Sequence, residues 1–126
     1  MRNHPHTDTD EQQGIALVWR PVLKDIVRAL VEGDYELHSC DSRVKRPSEG
    51  TAEQLKLSVD DYGDVSLTEL PDETWKSSVS IWAGTYWGAL VDLWTAEEGR
   101  SDLVLSVEIR RNEGSYLFEV YAIMVP

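Results

Sequence analysis

The stretch Thr85 to Asp102, TYWGALVDLWTAEEGRSD, decides how this chain folds. Trp87, Ala89, Val91 and Leu93 alternate with smaller or polar residues, and Leu103, Leu105, Val107 and Ile109 repeat the period-2 spacing immediately afterwards. Two strands of that kind bury their apolar rows together only as an antiparallel pair in one register: Leu93 opposite Leu103, Val91 opposite Leu105, Ala89 opposite Val107, Trp87 opposite Ile109. A one-residue slip would bury Asp92 and Glu108 instead. The same register sets Trp94 opposite Asp102 and leaves Thr95 to Ser101 as the connection, with Gly99 free to take a positive φ.

Working outward, Glu113-Gly114 reads as a tight turn into a strand whose inward row is Tyr116, Phe118, Val120, Ala122 and Met124. Upstream, Trp75, Val79 and Ile81 alternate in the same way, with Ala83-Gly84-Thr85 as a short loop. The spacing predicts a four-stranded antiparallel meander, with Val65 to Leu70, ended by Pro71, as a further short strand. Pro71 to Thr74 makes the turn into the meander. On the opposite face Leu90, Val104, Tyr121 and Ile123 sit among Asp92, Ser106, Glu108, Arg110 and Glu119. That face is less polar than a solvated one should be, which makes it a candidate homodimer surface.

The N-terminal half reads as helical. Arg20-Pro21 opens a helix and Gly33 closes it, with Trp19, Val22, Leu23, Ile26, Val27 and Leu30 forming one apolar stripe. Asp34 to Gly50 is a connector holding three basic residues, Arg43, Lys45 and Arg46. Thr51 with Gln54 fits a capping box for a second helix, on which Leu55, Val59 and Tyr62 share a face until Gly63. Met1 to Gly14 is polar and aperiodic, and so reads as a mobile tail. The expectation is one α+β domain over residues 15–126, with the two helices packed on one face of the meander.

Composition narrows the function classes. At 126 residues the chain can bury about two-thirds of its unfolded surface without metal or disulfide. Its formal charge of -11 disfavours nucleic acid and anionic membranes, and favours a basic protein or a cationic ligand. The longest uninterrupted apolar run, Ile15 to Trp19, is far short of a membrane span. The single Cys40 excludes an intramolecular disulfide and fits a reducing cytoplasm. A soluble cytoplasmic protein is expected.

Candidate chemistry is sparse. His4 and His6 beside Asp8 and Asp10 could collect a metal only with a geometry that a mobile tail does not supply. Cys40 lies near His38 and Asp41, yet neighbours on a connector do not make a positioned base and orienter. Asp60 and Asp61 in DDYGD lack the alternating ligands of a calcium loop. There is no phosphate loop and no nucleophile elbow, so no cofactor, metal or catalytic residue is assigned. The densest group is Asp92, Trp94, Glu97, Glu98, Arg100 and Asp102 around the central turn. These side chains could hold a basic partner, with Trp94 stacking on an arginine, or could serve the turn itself. As an enzyme the chain would have to use Asp92 with Glu97 or Glu98, one of them shielded enough to keep its proton, and no such shield is visible.

From about Arg20 onward, the segments WRPVLKDIVRALVEGDYE, DYGD and VDLWTAEEGRSDLVLSVEI resemble an uncharacterised bacterial family of domains of unknown function. The resemblance implies a recurring domain and gives weight to the LWTAEEGRSDL turn, without supplying a catalytic residue. The order of elements is also similar to cystatin-like and nuclear-transport-factor-like domains, in which a helix packs on a curved sheet. Two functional expectations follow: an acidic interaction domain of the immunity or inhibitor type, or a ligand-binding domain with a pocket lined by Trp19, Trp75, Trp87, Tyr116 and Phe118.

Overall fold

The computed structural model describes residues 12–126, and the readings placed on Met1 to Glu11, the histidine pair included, lie outside them. The chain runs β1 (Gln13–Gly14), α1 (Arg20–Val31), α2 (Glu49–Tyr62), β2 (Val79–Trp82), β3 (Trp87–Thr95), β4 (Gly99–Asn112) and β5 (Ser115–Met124). One antiparallel sheet holds the strands in the order β1-β2-β3-β4-β5. The described residues are thus α+β, with two α-helices and a five-stranded sheet. The fifth strand is not Val65 to Leu70. That segment makes a single bridge, Leu67 to Thr95, whereas Gln13 and Gly14, at the end of the polar N-terminal stretch, pair with Ser80 and Val79.

The apolar stripe of α1 is buried as its spacing requires: Trp19, Leu23, Ile26 and Val27 are fully inaccessible. Pro21 sits in the first turn of this helix, where its missing N–H costs nothing. In α2 the cap is Ser48, whose hydroxyl accepts from the Thr51 amide at 3.2 Å, so the helix begins earlier than a Thr51 cap implies. Leu55 and Val59 join the same core cluster as α1 and the strand residues Val91, Leu105, Val107, Phe118 and Ile123.

In the central pair, Trp87 lies opposite Ile109, Ala89 opposite Val107 and Val91 opposite Leu105, as the alternation predicts. The ladder then breaks. Asp92 still faces Val104, but Trp94 faces Arg100 rather than Asp102, and Thr95 faces Gly99, so the connection shrinks to three residues, Ala96 to Glu98. The slip is of two residues and therefore keeps parity: Leu93 and Leu103 both remain buried although they are not partners. The Ser101 hydroxyl closes the irregularity, donating to the Leu93 carbonyl at 2.8 Å and accepting from the Leu103 amide at 3.1 Å.

Two departures do change faces. The β2–β3 loop has four residues, Ala83 to Tyr86, closed by the Ala83 amide on the Tyr86 carbonyl, so Ser80 pairs with Ala89 and Trp82 with Trp87. Val79 and Ile81 consequently lie on the other face with Leu90, and Trp75 belongs to a 3-10 turn, Asp72–Lys76, outside the sheet. In β5, the register against β4 shifts by one residue between Ser106 and Val107. Tyr121 is the extra residue. Beyond it Ile123 is buried, whereas Ala122 is half-buried and Met124 exposed, the reverse of the expected row. The candidate dimer face therefore loses Ile123 to the core and keeps Leu90 and Val104.

Candidate functional site

The end of α2 and the β3–β4 turn are built into one unit. Tyr62, on the last turn of α2, donates its hydroxyl to the Glu98 carboxylate at 2.9 Å, and the same oxygen accepts the Asp102 amide at 3.1 Å. Alongside, Glu97 accepts the Ser66 amide at 2.8 Å, the Ala96 amide donates to the Ser66 carbonyl, and the Thr68 amide donates to the Trp94 carbonyl. The segment after α2 is thereby pinned along the turn. Gly99, at φ 75°, lies under the Trp94 ring: a Cβ there would sit 3.8 Å from Trp94 Cζ3.

These bonds tune the charges. The Ser66 amide holds Glu97 below the usual carboxylate range. For Tyr62 the Asp102 amide acts to lower the pKa, but desolvation and the Glu98 carboxylate together outweigh it, so the phenol holds its proton more tightly than a free tyrosine. Glu97 and Glu98 are thus committed to hydrogen bonds that shape the turn. Neither pairs with Arg100, which the sequence allows as their partner. Around this frame, Asp61, Asp64 and Asp102 enter no ion pair among the described residues, while Asp60 is bound by Lys56 at 2.9 Å.

Asp92 is anchored differently. Its carboxylate accepts from the Ser77 hydroxyl, its amide donates to Ser78 Oγ at 2.9 Å, and its carbonyl accepts from Thr74 Oγ1 at 2.7 Å. Together with Arg100 and Asp102 it lines an open groove of about 550 Å³ that also meets Ser77, Val104 and Val125. The six candidates of the central turn therefore divide. Asp92, Arg100 and Asp102 share the groove, Glu97 and Glu98 bind the α2 end, and Trp94 packs against the core with Nε1 buried and without a hydrogen-bond partner among the described residues.

Three of the five aromatic candidates pack on one another. Trp19 and Trp87 lie 5.3 Å apart between ring centroids, Trp19 and Tyr116 5.9 Å, Trp87 and Tyr116 6.1 Å, and Phe118 is buried in the same core. Sequence reading missed Trp82, whose ring is 4.6 Å from Trp87, because the parity of β2 was misjudged. Trp75 lies apart in a cleft of about 460 Å³ with Leu17, Pro21, Lys24 and Asp72, its ring beneath the Arg20 guanidinium at 5.3 Å. A third cleft, about 440 Å³, runs between the Gly33–His38 loop and α2, lined by Asp34, Glu36, Glu49, Glu53 and Lys56, and nothing in the sequence singled it out.

Cys40 is held away from nucleophilic chemistry. Burial first, then Asp34, Asp25 and Asp41, push its thiol up to about 11. His38 does not serve it: its ring lies between Glu36 at 2.8 Å and Arg46 at 2.7 Å. Among the described residues no group of three or more His, Cys, Asp or Glu side chains is placed to hold a metal ion.

The fold and this end of it define a class, a small α+β domain on an antiparallel meander whose acidic helix end is pinned to the central hairpin. The chain belongs to the family described as Domain of unknown function (DUF7668), whose model matches residues 27–126, so the uncharacterised family seen in the sequence is confirmed at that level. No curated protein and no solved structure matches the chain.

Proposed function

We propose that this domain is a small, cytoplasmic acidic interaction module, of the immunity or inhibitor type, that docks on a basic surface of a partner protein through the α2 end and the β3–β4 turn. One observation carries the reading: the Tyr62 and Glu97 hydrogen bonds tie the α2 end and Ser66 to the TAEEGRSD turn, while Asp61, Asp64 and Asp102 have no cationic partner among the described residues. A rigid frame bearing unpaired carboxylates loses little conformational freedom on binding and steers a basic partner from a distance. Both helices are taken to lie over the inward sheet face, which the shared core supports and which leaves this end accessible. The small-molecule alternative has less behind it, because Trp19, Trp87 and Tyr116 pack on one another and Phe118 is buried in the same core, while Trp75 lies apart from them.

The test is titration of a partner recovered from the source organism. Its affinity for the wild-type chain should fall steeply as salt is raised, and an Asp61→Asn/Asp64→Asn/Asp102→Asn variant should bind more weakly and lose most of that dependence. Binding that ignores salt and survives the triple change contradicts the proposal.

A further inference from the structure

Arg20 is held in place by the chain's own groups, yet no acid has claimed it. Its Nε and Nη2 both donate to the Ile15 carbonyl, at 3.1 and 2.9 Å, and its guanidinium lies 5.3 Å from the centroid of the Trp75 ring. Nη1 is left without a hydrogen-bond partner among the described residues. Of the two partly buried arginines there, Arg110 is paired with Glu108 at 2.6 Å and Arg20 with no carboxylate, although the chain has 23 acidic side chains against 12 basic ones. Lys24, one helical turn further along α1, lines the same open cleft of about 460 Å³. Its ammonium is 4.0 Å from the carboxylate of Asp72, a side chain 95% exposed to solvent, so that pairing is weak. The remaining walls are apolar: Leu17, 74% exposed, Pro21 and the Trp75 ring.

We propose that this cleft binds a small monocarboxylate with a compact apolar body, its carboxylate held by Arg20 and Lys24 and its body set against Leu17, Pro21 and Trp75. The hydrogens of Arg20 that remain, on Nη1 and the second position of Nη2, form a two-donor edge that matches the two oxygens of a carboxylate. Because the Ile15 carbonyl and the Trp75 face already fix the guanidinium, little side-chain freedom is lost when the anion arrives. Charge limits the ligand to one negative group. The net charge of -11 opposes any anion at long range and opposes a dianion twice as strongly, so the two local cations favour a carboxylate over a phosphate monoester. A neutral apolar ligand would cover both cations without pairing them, at the cost of their hydration. The cleft shares no residue with the acidic end proposed to dock a partner, and it is separate from the packed rings of Trp19, Trp87 and Tyr116.

NMR titration of the full chain with benzoate, benzamide and phenyl phosphate tests it, read at the Trp75 indole N–H and the Lys24 amide. Benzoate should shift both signals saturably with a Kd of roughly 1 mM, and benzamide, similar in shape but neutral, should bind about 10-fold more weakly. Arg20→Lys, which keeps the charge and loses the fork, should weaken benzoate by about 10-fold as well. Should that variant fail to fold, Lys24→Gln and the benzoate–benzamide comparison on the wild type decide: Lys24→Gln should fold and bind benzoate several-fold more weakly. The Asp61→Asn/Asp64→Asn/Asp102→Asn variant should bind benzoate no more weakly than the wild type, which separates this cleft from the docking surface. Equal affinity for benzoate and benzamide overturns the proposal, as does tighter binding of phenyl phosphate, a response that never saturates, or a Lys24→Gln variant that binds like the wild type.

Discussion

Tyr62 holds two parts of the chain with one oxygen, donating to Glu98 and accepting from the Asp102 amide. Tyr62→Phe should therefore lower the thermal midpoint and speed amide exchange over the 95–102 turn, whereas Leu57→Ala, on the exposed side of α2, should change neither. At Glu113 the φ of 46° places a non-glycine residue in left-handed backbone, followed by Gly114 at 85°, which is the two-residue hairpin geometry that prefers Asn-Gly. Glu113→Asn should raise stability by about 0.5–1 kcal/mol in chemical denaturation. Cys40, lifted from 9.0 to about 11, should react with a thiol reagent at neutral pH about 100-fold more slowly in the native chain than in the unfolded one. For Asp34, burial would raise the carboxyl, but the Ser39 and His38 amides win and hold it below the usual range. A depressed folded pKa gives stability that is present above the unfolded value and lost as pH falls through the folded one. The Asp34 contribution should therefore fade as pH falls from the ordinary carboxylate range through the lower folded value, and Asp34→Asn should remove that part of the pH dependence in acid denaturation.

At the level of strands, the alternation in β3 and β4 was legible because a two-residue slip preserves parity, so the buried rows came out right even where the partners did not. The slip itself was hidden. It depends on a three-residue turn and on the Ser101 hydroxyl, neither of which alters the hydrophobic pattern. One-residue events left no such protection: a fourth loop residue, Tyr86, turned over β2, and the extra Tyr121 turned over the end of β5. Both are aromatic residues that fit a strand pattern equally well on either face. The difference is measurable, since Ile123→Ala should cost about 2–5 kcal/mol and Met124→Ala close to nothing if the bulge is as described. Equal costs, or the reverse order, would restore the unbroken row. Trp87→Ala, in contact with Trp19, Trp82 and Tyr116, should cost about 3–5 kcal/mol by the same measurement.

Across the whole molecule, the acidic balance and the crowding of carboxylates at TAEEGRSD were visible in the sequence. What the sequence could not supply was their division of labour, because Tyr62 and Ser66 lie more than thirty residues upstream and only the fold brings them to Glu98 and Glu97. Two of the acids singled out shape the turn, while Asp61 and Asp64, on either side of Tyr62 in the sequence and absent from the partner surface expected there, enter no ion pair among the described residues. The proposed role rests on that arrangement, and the most direct measurement is cross-linking in extract of the source organism, followed by mapping of the linked residues. The account predicts a partner with a basic surface, joined to residues 60–64 and 96–102. A partner joined elsewhere on the chain, or one carrying an acidic surface at the junction, would contradict it.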